Sequence, residues 1–243
     1  MAPRQRIDRL LVERGLFESR AKAQAAIAAG RVTADDASVA RSSDEVPADA
    51  ILRAEPAHPW VSRGGVKLAV ALDHFRFDPA GHVCLDVGAS TGGFTEVLLA
   101  RGAHSVYAVD VGRGQLHPSL RTRPEIVSLE ETDVRALDPA RLPERPGFVT
   151  VDVSFISLKL VLPTALQLVQ APGYVLALIK PQFEAGRRAI RKGIVRDPLV
   201  QAAVCDDIAA FVASVGWTVA GIAPSPITGG DGNHEFFIAA HPP

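Results

Sequence analysis

A chain of 243 residues with 47% apolar and 22% charged side chains is long enough for one large or two unequal domains, with the composition of an ordinary water-soluble protein. The formal charge of −1 names no partner, and only two cysteines, Cys84 and Cys205, are present, which excludes a disulfide-stapled scaffold and predicts two buried free thiols. The first residues are charged throughout and no apolar run approaches membrane-spanning length, so neither a signal peptide nor a membrane partner is expected, and the expected location is the cytoplasm.

The mean charge hides a basic end. Residues 1–31 carry seven cations (Arg4, Arg6, Arg9, Arg14, Arg20, Lys22, Arg31) against Asp8, Glu13 and Glu18, a local charge of +4. Ile7, Leu10, Leu11 and Leu16 make a first helical stripe that Gly15 would stop. Ser19 is placed to cap a second helix with Ala23, Ala26 and Ile27 inward and Gly30 at its end. Val32-Thr33 starts a strand, and a polar tract leads through a turn to Ile51-Leu52. Charge alone is equally consistent with a solvated face on this pair of helices. The spacing Arg6-x-Asp8-x-x-Leu11, Arg14-Gly15-Leu16, Ser19-Arg20, Ala23, Ile27, Gly30, Val32 closely resembles the alpha-L RNA-binding module, over about residues 4–53. The resemblance implies RNA-phosphate contacts from Arg4, Arg6, Arg14, Arg20 and Lys22. The turn "TADDASVAR" departs from that pattern: Asp35-Asp36 stands where a glycine turn is usual, and its charge should repel phosphate.

The stretch "AEPAHPWVSRGG" divides the chain, giving an RNA-binding domain with the start of a linker at 1–60 and a second domain at 61–243. In the latter, strands are predicted at 83–87, 105–110, 126–129, 148–152, 173–180, 217–222 and 235–240, and helices at 93–101, 158–169 and 198–214. This alternation predicts an α/β domain with a mainly parallel sheet and helices on both faces. Ligands of such sheets bind beyond the carboxyl ends of the strands.

At the first of those ends stands "DVGASTGGF", with Asp86, Gly88, Ser90, Thr91, Gly92, Gly93 and Phe94. No lysine follows as a P-loop requires, and Gly88, Ser90 and Gly93 fit a dinucleotide fingerprint only if Ser replaces its middle glycine. Asp86 sits where phosphate would otherwise lie, so a cationic or zwitterionic ligand suits the turn better, its ammonium near Asp86. S-adenosylmethionine is such a ligand. Asp110, after the next strand, is placed to hold a ribose diol, and Asp133 could take an adenine amino group. The stretch "DVGASTGGFTEVLLARGA" resembles the first motif of class I S-adenosylmethionine-dependent methyltransferases, in the form found in FtsJ-type RNA ribose 2′-O-methyltransferases. That implies a Rossmann-like fold and needs no metal.

Three further segments carry ionisable groups near the same edge: Lys67 in "SRGGVKLAVAL", Asp152 in "VTVDVSFISL" and Lys180 in "YVLALIKPQFE", with Glu235 opening the last strand. Singly, each has a structural explanation, although Lys180 follows Val-Leu-Ala-Leu-Ile and is held close to the core. In order and context they resemble the Lys-Asp-Lys-Glu tetrad of FtsJ-type enzymes. The resemblance implies that Lys180 acts on the 2′-hydroxyl, Asp152 orients it, and Lys67 and Glu235 position the ribose. Which amine is neutral stays open, since a lysine base requires an ammonium destabilised by burial or by another cation. "WVSRGGVKL", "DVSFISL", "IKPQFEAG" and "SPITGGDGNHEFF", with the N-terminal module, resemble the TlyA (haemolysin A) family along essentially the whole chain. This implies cytidine 2′-O-methylation of ribosomal RNA in ribosomal subunits. Arg63 and the basic stretch Arg187, Arg188, Arg191 and Lys192 are further candidates for RNA contact. The alternatives are a non-catalytic RNA-binding ribosome factor and a membrane-active haemolysin. The target nucleotide and the oligomeric state, a monomer included, are open at this level.

Overall fold

The computed structural model describes residues 2–243; the side chain of Arg187 lies outside the described residues. The chain falls into two compact units, one ending at Pro59 and the other starting at Trp60.

The N-terminal unit runs β1 (Arg4–Arg6), α1 (Ile7–Glu13), α2 (Arg20–Ala28), β2 (Val32–Ala34), β3 (Ala37–Ser38), β4 (Glu45–Pro47) and β5 (Leu52–Ala54). Strands β1 and β4 pair antiparallel, and β2 lies between β3 and β5. The stripe buries Ile7, Leu10 and Leu11, but Leu16 is exposed and Phe17 takes the inward place. The cause is the break at Gly15 (φ +71°), which takes the chain off the helical period before Leu16 is reached. Ser19 caps α2 as expected, accepting from the Lys22 amide at 3.3 Å. Strands β1, β3 and β4 have two or three residues each, too few to print a period-two signal. The Asp35-Asp36 pair explains itself structurally. Both residues are left-handed (φ +48° and +63°), Asp35 accepts from the Ile51 amide at 2.8 Å, and Asp36 pairs with Arg53 at 2.7 Å. Aspartate tolerates this backbone region better than most residues and here replaces the usual glycine.

Asp8 knits this unit. Its carboxylate is fully buried and accepts from Arg6 at 3.1 Å, from Arg20 at 2.7 Å and from Gln24 at 2.9 Å. The hydrogen bond from Arg6, joined by those from Arg20 and Gln24, outweighs burial and holds the carboxyl well below the usual carboxylate range.

The second unit contains α3 (Arg63–Phe75), β6 (Val83–Val87), α4 (Gly93–Ala100), β7 (Ser105–Val109), α5 (Pro118–Arg121), β8 (Ile126–Leu129), β9 (Phe148–Val151), α6 (Leu158–Leu168), β10 (Tyr174–Ile179), α7 (Pro181–Glu184), α8 (Pro198–Ser214), β11 (Thr218–Pro224) and β12 (Phe236–His241). The sheet order is β11-β12-β10-β9-β6-β7-β8; β6 to β10 run parallel, while β12 is antiparallel to both β10 and β11. Alternate residues feed two cores. Leu85, Val87, Val149 and Val151 pack with α6 and α8, while Cys84, Val106, Phe148 and Leu176 pack with α3 and α4. Both cysteines are free and buried, as the sequence predicts. Among the described residues no helix is long and apolar enough to cross a membrane.

This order fixes the place of any site. Strand β6 lies between β7 and β9, so the chain leaves the centre of the sheet in opposite directions, and a crevice opens beyond the ends of β6 and β9. Because β12 is antiparallel, its start lies at the edge where the parallel strands end.

Candidate active site

The predicted site residues gather along that edge. Gly88 follows β6, Asp110 follows β7, Asp133 lies beyond β8, Asp152 follows β9, Lys180 follows β10, and Glu235 precedes β12. The turn after β6 is built from left-handed residues, Gly88 (φ +81°), Ser90 (φ +47°) and Gly92 (φ +91°). At Gly88 a side chain would also strike the carbonyl of Asp152, so the glycine lets the turn close on the end of β9. At Gly92 it would run into Leu116 and Leu120. Gly93 opens α4, and Phe94 beside it packs parallel to Phe237 with ring centroids 6.1 Å apart.

Two cavities flank the turn. One, of about 540 Å³, is lined by Asp110, Asp133 and the apolar Val111, Val134 and Ile156. The other, of about 430 Å³, is lined by Arg63, Lys67, Thr91, Gly93, Phe94 and Thr228. Gly88, Ser90 and Asp152 line both. Asp110 is preorganised, accepting from the Ser90 amide at 2.8 Å and the Gly112 amide at 2.6 Å. Both oxygens of Asp133 accept from the Arg135 guanidinium, at 3.0 and 2.6 Å, and these bonds hold its carboxyl below the usual range. The first cavity thus sets two carboxylates beside an apolar wall of Val111, Val134 and Ile156. Its volume falls in the range of about 300–1,000 Å³ typical of small-molecule sites.

Asp86 is placed differently from the sequence expectation. It is fully buried under the turn, lines neither cavity, and accepts from Thr95 Oγ1 at 2.7 Å and Thr150 Oγ1 at 3.0 Å. It tethers β6 to α4 and β9. Its position two residues before Gly88 puts its side chain on the face that α4 covers, away from the ligand edge. Burial pushes this carboxyl up to about 7, against the opposing hydrogen bonds from both threonines.

The four tetrad residues form two ion pairs. Lys67 Nζ lies 2.5 Å from Glu235 Oε2, with both side chains almost wholly buried. Lys180 Nζ lies 2.6 Å from Asp152 Oδ1, off the axis of a directed hydrogen bond, and donates to Ser154 Oγ at 2.9 Å. Lys67 and Asp152 line the cavities directly, whereas Lys180 and Glu235 line neither and are each paired with a residue that does. Ion pairs this buried give little net stability, because desolvation offsets most of the Coulomb attraction. Their concentration beside a crevice points to chemistry.

Three residues were not singled out from sequence. Ser154 bonds Lys180. Phe155 is 91% exposed in a left-handed conformation (φ +65°), its ring 5.1 Å from that of Phe183. Glu184 accepts from Ser157 Oγ at 2.5 Å and from the Leu158 amide at 2.7 Å, capping α6 from another segment. The loop after β9 and the segment after β10 are thereby tied at both ends. "DVSFISL" and "IKPQFEAG" bore a family likeness in sequence, but nothing in their spacing reveals that they touch.

The predicted RNA-contact residues of the N-terminal unit are engaged internally. Arg6 and Arg20 hold Asp8. Arg4 donates to the Glu45 carbonyl, Arg14 to the carbonyls of Ala48 and Ala50, and Lys22 to Glu18. Arg6 and Arg20 still expose 39% and 48% of their side chains, and a guanidinium has five N–H groups to share. Exposed Arg9 and Arg41, which the RNA-contact set omitted, have no side-chain partner among the described residues. Arg63, in the second unit, donates to the Thr228 carbonyl at 2.7 Å, beside Lys67 on the cavity wall.

With this geometry in place, the family model for FtsJ-like methyltransferases matches residues 60–241. The chain belongs to that family. An S4 domain model matches residues 5–52, so the FtsJ-like unit follows an S4 unit. The 16S/23S rRNA (cytidine-2′-O)-methyltransferase TlyA of Mycobacterium tuberculosis is 43% identical over 98% of this chain and 90% of its own. Hemolysin A of Brachyspira hyodysenteriae is 35% identical over 95% of this chain and 97% of its own. A solved structure described as a hemolysin of Streptococcus thermophilus superposes with a TM-score of 0.78 at 39% identity, covering 100% of this chain and 90% of that one. These relatives place the FtsJ-like chain in the TlyA (haemolysin A) group, as the sequence resemblance implies.

The buried carboxyl of Asp86 gives a signed expectation. The folded protein keeps its proton up to about pH 7, while the unfolded chain releases it near the ordinary value of 3.8. The folded state therefore binds more protons across that window and loses stability as pH rises through it. Asp86→Asn should flatten this stretch of the denaturant-midpoint profile between pH 4 and 8. An unchanged slope would contradict the assignment.

Proposed function

We propose that this chain is an RNA ribose methyltransferase that moves a methyl group from S-adenosylmethionine to the 2′-hydroxyl of a cytidine in ribosomal RNA. The observation that carries the reading is the pair of buried ion pairs, Lys180–Asp152 and Lys67–Glu235, flanking one crevice at the carboxyl edge of the sheet. The names of the TlyA relatives supply the substrate class, and the S4 match at residues 5–52 supports an RNA partner.

The larger cavity suits the donor. Asp110 would hold the ribose hydroxyls, Asp133 the adenine amino group, and Val111, Val134 and Ile156 the ring faces. Ser90, Thr91, Gly92 and Gly93 bring turn backbone to the ligand, while Gly88 lets that turn meet Asp152. When bound, S-adenosylmethionine supplies an electrophilic sulfonium methyl.

A ribose hydroxyl is a weak nucleophile, so positioning and removal of one proton carry most of the rate. With its amine in the unprotonated form, Lys180 takes the 2′-hydroxyl proton while the 2′-oxygen bonds the methyl carbon and the sulfur–methyl bond breaks, leaving S-adenosylhomocysteine. Asp152 and Ser154 fix the direction of its amine. Lys67, held by Glu235 on the wall of the smaller cavity, donates to the ribose and sets its angle of approach. Phe155, exposed beside Asp152, offers a face on which the target base can stack. Stacking a base there requires it to leave the RNA helix, as enzymes acting inside structured nucleic acid require.

Transfer of labelled methyl to isolated ribosomal subunits tests this reading. Lys180→Ala and Asp152→Ala should each lower turnover by about 10²-fold or more, with S-adenosylhomocysteine affinity kept by Lys180→Ala. Undiminished incorporation in both variants would remove the catalytic assignment. Subunit binding without any incorporation by the unsubstituted protein would favour the non-catalytic ribosome factor. Glu184→Ala should lower kcat roughly tenfold by loosening the loop that carries Asp152, while Glu184→Gln, which can still accept from the Leu158 amide, restores most of the rate. Equal loss in both would show that the carboxylate charge, not the cap, matters.

A further inference from the structure

A short hairpin beside the crevice has no place in the chemistry described so far. Arg191 and Ile194 exchange both backbone hydrogen bonds at 3.0 Å, and Lys192 (φ +51°) and Gly193 (φ +79°) form the two-residue tip. Both tip residues are left-handed, the geometry in which Asn-Gly or Gly-Gly is the usual choice. A lysine there bears a steric cost that asparagine or glycine would largely avoid. Retained strain at an exposed cation is a reason to look for a use.

The hairpin is anchored to the active edge. Asn233, almost wholly buried, donates from Nδ2 to the Gly193 carbonyl at 2.9 Å and accepts from the Val195 amide at 3.1 Å. Gln201 of α8 donates to the Val195 carbonyl at 2.8 Å. Asn233 stands two residues before Glu235, and its own carbonyl accepts from the Gly229 amide at 2.9 Å, closing the loop that carries Thr228 on the cavity wall. The tip is thus held in fixed relation to the Lys67–Glu235 pair.

Its charge is uncompensated. Arg188, Arg191, Lys192 and Arg196 are exposed and have no side-chain partner among the described residues, and no acid occurs between Gly186 and Arg196. Asp197, the next residue, accepts from the Leu199 amide at 2.9 Å to cap α8. Four free cations on a hydrogen-bonded support beside a crevice proposed to take one ribose match the phosphates flanking that ribose. A membrane surface fits less well, because interfacial binding needs an apolar face to insert; Val195 is buried, and Ile190 and Ile194 are half-buried.

We propose that the 188–196 hairpin is a phosphate clamp of the methyltransferase unit, gripping the RNA backbone next to the target nucleotide. This rests on the RNA reading above and adds a contact surface separate from the S4 unit.

The experiment measures binding of the full chain to isolated ribosomal subunits across a salt series. Lys192→Gly removes a cation while relieving the tip conformation, so folding is favoured; Arg191→Ala and the double variant complete the set. Each substitution should weaken binding and flatten the dependence of log K on log salt by about 1 per cation removed, with S-adenosylhomocysteine affinity unchanged. Unchanged affinity and slope in the double variant would overturn the clamp. So would unaltered subunit binding with reduced binding to phosphatidylglycerol–phosphatidylcholine vesicles, which would assign the cations to a membrane. Methyl transfer by the unsubstituted protein is followed in parallel: its absence would contradict the enzyme reading alone and leave the salt slopes to judge the clamp.

Discussion

The active edge depends on holding two lysine amines and two carboxylates close together, with little exposure to water, beside one crevice. Each group alone would be expelled or neutralised, because taking an isolated charge out of water costs several kcal/mol or more even after relaxation. Pairing Lys180 with Asp152 and Lys67 with Glu235 makes the arrangement tolerable. It does not make it strongly stabilising. The sheet, the glycine turn and the clamps around Ser154 and Glu184 are the supports that hold these four groups where bulk water would otherwise separate them.

Topology delivers the groups. Parallel strands send Asp152 and Lys180 out of the same edge from neighbouring ladders, β9 and β10, and the antiparallel β12 begins at that edge with Glu235. Helix α3 adds Lys67 from above. Asp86 is internal to this frame: its oxygens tie three elements together beneath the turn, so the acid that looks ligand-facing in sequence is structural. The N-terminal unit uses an acid the same way, with Asp8 gathering Arg6, Arg20 and Gln24.

Much of this was legible in sequence because it obeys short periods. The strands beyond residue 80 are continuous apolar runs, and each predicted end lies within two residues of the observed one. The glycine turn announced itself through Gly88 and Gly92, both left-handed, and Gly93, which opens α4. What could not be read was contact between segments far apart in the chain. Glu184 capping α6, Asn233 bracing a hairpin 40 residues earlier, and Thr150 reaching Asp86 all depend on strand order rather than local spacing. Leu16 failed for a local reason, since a glycine one residue earlier had already ended the helix. Phe155 gave no sequence signal, because an aromatic residue between Ser and Ile reads as core until its left-handed backbone turns it outward.

A crystal structure of the chain with S-adenosylhomocysteine and a short RNA bearing the methylatable cytidine tests the central claim most directly. The account requires the amine of Lys180 within about 2.6–3.2 Å of the 2′-oxygen, still braced by Asp152, with that oxygen facing the sulfur. A ribose bound in the crevice while Lys180 points elsewhere and touches only protein would contradict it.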